Sequence, residues 1–279
     1  DLSMEKLRVC FLGTGSMGSA VMEGLISSGH PLELISATTR STESASKFRA
    51  RGISAMAIAE APDANALLAG DADLIVLGVK PYQIVDVLNE IKDEIAPNAV
   101  VISMAAGIKL ETMAAVVPGN KNLIRTMPNT PALVGMGVTG VAPASSAAED
   151  AIDATLELFN AVGVALEITE DQIDALSAVS GSGPAWVFYI MEQWEKIAVN
   201  HGFTDEQAAL MVRGTLAGSI DLLAQSDKEL AELRANVTSP GGTTEQIIAS
   251  LEKADLQGVF EQSLQQALKR AREIGEGKG

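Results

Sequence analysis

The stretch Val237–Thr244 (VTSPGGTT) consists of residues that could bind a small ligand without any charged side chain. It carries four hydroxyl groups but no acid, base or thiol, and its Pro240-Gly241-Gly242 turn precedes a helical pattern. The first turn of a helix has backbone amides without helical partners, and such amides bind anions. The stretch is therefore a candidate anion site. Taken alone, however, it is better explained as a helix–helix turn with an N-cap threonine.

A glycine-rich stretch near the start of the chain, Gly13–Gly18 (GTGSMG), has the spacing G-x-G-x-x-G. It follows the apolar strand pattern Leu7–Leu12 and opens a helical pattern, which is the context that a dinucleotide-binding fingerprint requires. The first glycine permits a tight turn, the second lets a pyrophosphate approach the backbone, and the third lets helix pack on strand. The alternative is a plain glycine-rich turn. The residues that we predict to bind the dinucleotide are Gly13, Thr14, Gly15, Ser16, Met17 and Gly18.

The end of the second strand pattern indicates which dinucleotide is bound. Enzymes that use NAD usually have an acid there, which binds the ribose 2′-hydroxyl. This chain has Arg40 and Ser41 instead, and no acid before Glu43. A guanidinium and nearby hydroxyls suit a 2′-phosphate. We therefore predict NADPH as the cofactor, with NADH as a weaker alternative. The opposing interpretation is that Arg40 is a solvated surface charge.

Two further loops follow strand patterns at the edge where ligands bind in open α/β sheets. They are Val79–Pro81 and Ala105–Gly107. Lys80 would add positive potential near the cofactor, although an ordinary surface lysine explains it equally well. The residues of these loops that we assign to the cofactor are Val79, Lys80, Ala105, Ala106 and Gly107.

A third loop, Met127–Pro131 (MPNTP), has two prolines around a polar pair. Proline restricts the backbone, so the loop presents Asn129 and Thr130 rigidly. We assign Asn129 to the substrate. The alternative is a stiff linker between domains.

The strand and helix patterns that position these residues divide the chain into two parts. Up to about Thr169, apolar strands alternate with helices, which predicts a mainly parallel sheet covered on both faces and an antiparallel edge formed by the last two strands. The predicted strands are Leu7–Leu12, Leu32–Ala37, Leu74–Val79, Val100–Met104, Asn122–Met127, Val138–Ala142 and Val164–Ile168. After Glu170 only helices are predicted: Asp171–Ser180, Pro184–Asn200, Thr204–Ala224, Lys228–Ala235, Thr243–Lys253 and Leu256–Ile274. The predicted fold is α/β, with a Rossmann-type domain at 1–168 and an all-helical domain at 169–279.

The predicted helix Pro184–Asn200 is apolar around its whole circumference. Val187, Ile190 and Trp194 follow helical spacing, but Phe188 and Tyr189 make the other side apolar as well. Such a helix is usually buried between partners. We therefore predict a homodimer whose interface includes this helix.

Composition excludes several other kinds of function. The net charge of −16 repels nucleic acid, and no apolar segment reaches the roughly 20 residues that span a bilayer. One cysteine, Cys10, and two histidines provide neither a disulfide nor a usual zinc site, so we predict no metal. The start has no signal-peptide pattern, and we expect Met4 to be the natural first residue. These features predict a cytoplasmic protein that acts on a small molecule.

Five motifs occur in one order along the chain and resemble those of pyrroline-5-carboxylate reductases. They are Gly13–Gly18, Val79–Pro81 (VKP), Met127–Pro131, Ser180–Ala185 (SGSGPA) and Val237–Thr244. The resemblance extends over essentially the whole chain after Met4, and the last motif is the most specific. It implies reduction of L-1-pyrroline-5-carboxylate to L-proline, an N-terminal dinucleotide domain, and a helical domain that forms dimers, which in this family often assemble further into decamers.

The resemblance also implies roles for the hydroxyl-rich stretch. The substrate carries one carboxylate and one imine nitrogen. Backbone amides around Gly242 and Thr243, helped by the Ser239 hydroxyl, would hold the carboxylate. The resemblance places the Thr244 hydroxyl opposite the ring nitrogen, as the catalytic group. No acid is strictly needed, because a protonated imine already accepts hydride readily.

Two alternatives share this domain plan. A β-hydroxyacid dehydrogenase would have a catalytic lysine four residues after Gly183, where this chain has Val187. The nearest lysine, Lys196, lies far along the helix, which favours an imine reductase. A non-catalytic NADP-binding protein is the second alternative, and the intact hydroxyl-rich stretch disfavours it.

Overall fold

A computed structural model describes residues 3–277. Asp1 and Leu2, which precede the expected start at Met4, lie outside the described residues. The chain forms two compact units: unit 1 contains the residues up to Ser182 and those from Leu268 onwards, and unit 2 contains Gly183–Ala267. The sequence prediction divides the chain at residue 169, whereas the compact units divide after Ser182 and again within the last helix.

Unit 1 contains an eight-stranded sheet in the order β3-β2-β1-β4-β5-β6-β7-β8. The strands are β1 Val9–Leu12, β2 Ile35–Thr39, β3 Ser54–Ala57, β4 Leu74–Leu77, β5 Val100–Ser103, β6 Leu123–Met127, β7 Gly137–Pro143 and β8 Gly163–Glu167. The first six pair in parallel, β7 is antiparallel to β6, and β8 is parallel to β7. This is the Rossmann order with two reversed strands added, so the predicted N-terminal fold is confirmed.

Helices cover both faces of this sheet, because its central strands are apolar on both sides. Those of unit 1 are α1 Ser16–Ser27, α2 Thr42–Ala50, α3 Ala64–Ala69, α4 Ile84–Ile91, α5 Leu110–Val116, α6 Glu149–Asn160 and α7 Ile173–Leu176. One core cluster includes Phe11 of β1 with residues of α1 and α6. The other includes Leu12 of β1 with residues of α4 and α5. A π-helical turn, Ser177–Gly181, follows α7, and unit 2 begins shortly after it at Gly183.

Two local predictions at the sheet are wrong. Strand β3 was not predicted, because Ser54-Ala55-Met56-Ala57 has neither β-branched nor aromatic residues. It forms by pairing in parallel with β2 at the edge of the sheet. Leu32–Leu34, predicted as strand, forms a 3-10 helix before β2. It directly follows Pro31, which lacks the N–H that strand pairing requires.

Unit 2 is helical, as predicted. Its helices are α8 Gly183–Asn200, α9 Asp205–Ala224, α10 Leu230–Asn236, α11 Thr243–Lys253 and α12 Leu256–Gly275, of which the last part belongs to unit 1. Helix α9 begins with a capping box: Gln207 N donates to Thr204 Oγ1 (3.1 Å) and Thr204 N donates to Gln207 Oε1 (3.0 Å). Within residues 3–277, no helix combines the length and apolarity needed to cross a membrane.

Candidate nucleotide and substrate sites

The predicted dinucleotide fingerprint forms the turn from β1 into α1, at the carboxyl end of the sheet. Gly13 has φ +85°, which glycine adopts without strain. Its N–H donates to Thr38 Oγ1 (2.9 Å), and Thr14 Oγ1 donates to Thr38 O (3.2 Å), so the end of β2 fixes the turn. Gly15 is the N-cap of α1 and has no side chain to cap it. The amides of the first turn are therefore free for an anion.

The third glycine of the fingerprint is required by close packing. A Cβ on Gly18 would lie 2.8 Å from Gly13 O. A Cβ on Gly78, directly after β4, would overlap the same oxygen and lie 3.5 Å from Gly18 Cα. Gly78 was not singled out from the sequence, although its place before Val79–Pro81 was a signal. Of the remaining fingerprint residues, Ser16 is exposed and Met17 is half-buried against the core.

Arg40 and Ser41 lie directly after β2, and both are exposed. Within residues 3–277, Arg40 makes no ion pair. Ser41 Oγ accepts from Ser44 N (3.2 Å) and so caps α2, which begins at Thr42. The positive end of the α2 dipole therefore lies beside the Arg40 backbone. A free guanidinium next to a helix N-terminus suits a phosphate group, so this geometry agrees with the predicted 2′-phosphate site.

The loop after β4 begins with Gly78 and continues into the 3-10 helix Pro81–Gln83. Val79 is half-buried and Lys80 is exposed. The Lys80 N–H donates to Gln83 Oε1 (3.1 Å), which fixes the backbone of the loop. The Lys80 ammonium is absent from the ion pairs of the described chain, so both interpretations of this lysine agree with the structure.

A partly buried ion pair connects β6 to the end of the loop that follows β5. Arg125 of β6 is in register with Ser103, the last residue of β5. Arg125 Nη1 donates to Glu170 Oε2 (3.1 Å), and the same oxygen accepts from the N–H of Leu110, the first residue of α5 (2.8 Å). The Arg125 side chain is only 7% exposed. This pair was not predicted from the sequence, because its partners are far apart in the chain.

The predicted cofactor residues Ala105–Gly107 lie in this loop. The buried Ala105 N–H donates to Ser103 Oγ (3.1 Å), Ala106 is exposed, and Gly107 has φ +78°. A cavity of about 460 Å³ adjoins the loop, and Arg125 and Glu170 help to line it. The ion pair therefore fixes the end of the predicted cofactor loop beside this cavity.

Asn129 connects three parts of unit 1. Its Nδ2 donates to Ser180 O (2.9 Å), and its Oδ1 accepts from Val138 N (2.8 Å). The buried amide thus links the MPNTP loop to β7 and to the π-helical turn that contains the start of SGSGPA. Thr130, by contrast, is exposed. The structure gives Asn129 a structural role, and its contact with substrate stays a prediction.

The VTSPGGTT stretch joins α10 to α11 in unit 2. Thr238 Oγ1 donates to Arg234 O (2.6 Å), and Gly242 N donates to Ser239 O (2.9 Å). Gly241 has φ +73°, and its N–H donates to Glu245 Oε2 (2.6 Å). These bonds hold a defined turn whose last residue, Gly242, is the N-cap of α11 without a side-chain cap.

Three hydroxyls of this turn are available for a ligand. Among the described residues, none partners the side-chain hydroxyls of Ser239, Thr243 and Thr244, whereas the Thr238 hydroxyl donates to Arg234 O of α10. Ser239 and Thr243 are exposed, and Thr244 is half-buried. The uncapped amides of α11 lie in the same turn as these hydroxyls. The arrangement can therefore bind a carboxylate and offer one more hydroxyl to a neighbouring polar atom.

Comparison with known proteins adds independent evidence. Residues 170–274 match the family model described as pyrroline-5-carboxylate reductase dimerisation. Residues 8–107 match the model of an NADP oxidoreductase, coenzyme F420-dependent. The second region contains the fingerprint, Arg40 and the loops after β4 and β5, and the first contains the hydroxyl-rich turn.

Relatives that match along nearly the whole chain are named pyrroline-5-carboxylate reductases. A pyrroline-5-carboxylate reductase of Methanosarcina acetivorans is 34% identical over 273 residues, 98% of this chain and 99% of that protein. The solved structure of a pyrroline-5-carboxylate reductase from Coxiella burnetii has a TM-score of 0.90 and 34% identity, and the match covers 96% of this chain and 98% of that one.

A Plasmodium falciparum pyrroline carboxylate reductase, solved with NADP bound, has a TM-score of 0.79 and 29% identity; the match covers 98% of this chain and all of that one. These similarities extend through both units and include the regions of all five motifs. The chain belongs to the pyrroline-5-carboxylate reductase family.

Proposed function

We infer that the protein reduces L-1-pyrroline-5-carboxylate to L-proline with NADPH, the last step of proline synthesis. The observation that carries this inference is the hydroxyl-rich turn before α11, with free hydroxyls and uncapped amides, in a chain that also has the dinucleotide fingerprint. When bound, NADPH supplies the hydride. The C=N carbon of the protonated imine accepts it, the C=N π pair becomes the amine lone pair, and the proton that the imine nitrogen already carries remains on the amine.

The chain's own residues bind and orient the reactants in this proposal. The fingerprint amides hold the pyrophosphate, and Arg40 holds the 2′-phosphate. The α11 amides and Ser239 bind the substrate carboxylate, while the Thr244 hydroxyl faces the ring nitrogen. Because the cofactor supplies the chemistry, orientation is the main contribution of the protein. We propose that the enzyme acts in the cytoplasm on this small molecule, without nucleic acid or membrane.

A turnover assay tests this proposal directly. We expect the purified full-length chain to oxidise NADPH when L-1-pyrroline-5-carboxylate is added and to form proline in equal amount. A 3-hydroxy acid with NADP should give no comparable rate, because no lysine stands at position 187. Faster turnover of the hydroxy acid would favour the dehydrogenase alternative. Binding of NADPH without turnover of either substrate would favour the non-catalytic one.

We propose a homodimer whose interface includes α8, with further assembly into a decamer. Helix α8 has no buried residue in the single chain, and Phe188 and Tyr189 are 68% and 64% exposed.

We expect Phe188→Glu to shift the protein towards monomer in sedimentation velocity, because it places a charge in an apolar interface. Leu67→Glu, at a 56% exposed leucine of α3, is the control and should leave the sedimentation coefficient unchanged. A wild-type chain that is a stable, active monomer at low concentration would rule out the dimer.

A further inference from the structure

An apolar patch on unit 1 lies outside the predicted nucleotide and substrate sites. It consists of two residues of β8 and one residue just before β7: Val164, Leu166 and Met136. We propose that this β8 patch is a second contact surface for the second copy of the chain, in addition to the helices of unit 2. The inference extends the proposed dimer.

The two β8 residues of the patch lie on one face of the sheet. Strand β8 pairs with β7 so that Val164 lies beside Val138 and Leu166 beside Gly140. Side chains alternate between faces, and Ala165 packs against the core cluster that contains α6. Val164 and Leu166 therefore point away from that core, and no helix of the described chain buries them: they are 60% and 43% exposed.

The third residue, Met136, extends the patch at the corner of the sheet. Met136 directly precedes Gly137, and Val164 directly follows Gly163, while Gly137 and Gly163 are paired in the sheet. Met136 is 73% exposed. Single exposed apolar residues are normal, but a contiguous group of this kind indicates an interaction surface.

The geometry favours packing on this face over extension of the sheet. The outward N–H of Ala165 already donates to Asn160 Oδ1 (3.0 Å), so the edge of β8 is partly blocked. Glu167 adds a charge at the same edge, as in natural strands that resist pairing. A partner would therefore lie against Val164 and Leu166 rather than add a strand beside them.

A second copy of this chain is the partner that the structure supports. The dimerisation model of the family begins at residue 170 and so includes α7, which belongs to unit 1. Helix α7 lies on the same face of the sheet, because a Cβ on Gly140 would be 2.6 Å from Leu176 Cδ1. The patch therefore continues a surface that already contains part of the dimerisation region.

The charge of the chain supports the same partner. Two copies with a net charge of −16 each repel one another, so association depends on uncharged apolar area. The patch carries no charged side chain, and the segment 132–138 around Met136 contains none either. It provides such area on unit 1.

Thiol protection tests the proposal without disrupting the interface. Cys10, the only native cysteine, is fully buried, and burial raises the pKa of its thiol to about 12, so it stays unreactive. We compare the rates at which Val164→Cys and Leu67→Cys react with a maleimide at a concentration where the protein is dimeric. We expect position 164 to react at least about tenfold more slowly, because the second copy covers it. In the Phe188→Glu background, the difference should disappear as the dimer dissociates.

Each other outcome overturns the inference. Equal rates in a dimer show that the patch is open and leave the proposed α8 interface intact. Slow reaction at position 164 in a monomer shows that the chain covers its own patch. If Phe188→Glu remains dimeric, a photo-crosslinker attached to the thiol of the Val164→Cys variant, in a mixture of light and ¹⁵N-labelled chains, replaces that comparison. Crosslinks between light and heavy chains support the proposal, and crosslinks within one chain alone contradict it.

Discussion

We expect Thr244→Ala to lower kcat about 10²-fold if the hydroxyl relays a proton, with a much smaller change in KM for L-1-pyrroline-5-carboxylate. The ring nitrogen gains basicity as hydride arrives, so a hydrogen bond to it strengthens in the transition state. The Thr244 hydroxyl is half-buried, and the described part of the chain gives it no partner, so it is free for this contact. If the hydroxyl only orients the ring, the loss is smaller. Steady-state kinetics measures both parameters.

Neighbouring variants make this experiment specific. Thr243→Ala should be milder, because alanine retains the backbone amide that this position contributes. Ser239→Ala should raise KM instead, because the carboxylate does not change during the reaction. Thr238→Ala is the structural control, since that hydroxyl donates to Arg234 O. Circular dichroism checks folding.

The pattern across these variants decides the assignment. If Thr244→Ala keeps the wild-type kcat while Thr243→Ala loses it, the catalytic hydroxyl is one residue away. If both variants and Ser239→Ala behave as wild type, the stretch is only a turn between α10 and α11, and the function must be sought in the dinucleotide unit.

We expect Arg40→Ala to lower kcat/KM for NADPH about 10–100-fold and to leave the value for NADH nearly unchanged. The loss corresponds to about 1.5–3 kcal/mol for a charge-assisted contact to the 2′-phosphate. Only NADPH has that phosphate, and Arg40 is exposed beside the N-terminus of α2 without an ion-pair partner in the described chain. Measurement of kcat/KM for both cofactors in wild type and variant gives the ratio of the NADPH value to the NADH value in each protein.

A second cationic side chain on the same surface separates a direct contact from a general charge effect. Lys47 of α2 is exposed and pairs with Glu43 (3.3 Å), so Lys47→Ala removes the same charge nearby. In Lys47→Ala, the ratio of kcat/KM for NADPH to kcat/KM for NADH should stay at the wild-type value. An unchanged ratio in Arg40→Ala itself would show that this guanidinium does not bind the phosphate.

The sequence predicts those parts of the fold that its local patterns specify. Strands β1 and β4 are runs of buried apolar residues, β5 is such a run up to Ser103, and α9 begins with a capping box, so each was predictable from its own residues. Strand β3 was not, because its Ala-rich segment becomes a strand only through pairing with β2. Tertiary pairing determined that element rather than intrinsic preference.

In the candidate sites, too, residues that depend on local patterns were predictable and residues that depend on tertiary contacts were not. The fingerprint glycines were predictable because a local turn needs them. Gly78 and the pair Arg125–Glu170 were not, because they meet their partners across strands and loops. Asn129 was chosen as an important loop residue, but its bonds to Ser180 and Val138 depend on the folded chain and could not be predicted from the loop alone.

The last part of α12 belongs to unit 1, where a Cβ on Gly107 would lie 3.4 Å from Ile274 Cγ2. The ribosome synthesises the chain from the N-terminus to the C-terminus. This segment therefore leaves the ribosome only after all of unit 2 has been synthesised. During synthesis of unit 2, the nascent nucleotide-binding unit therefore lacks the last part of α12, which belongs to its fold. The loop predicted to hold the cofactor gains its final packing after translation of Ile274, and a growing polypeptide has a less complete cofactor loop than the finished protein.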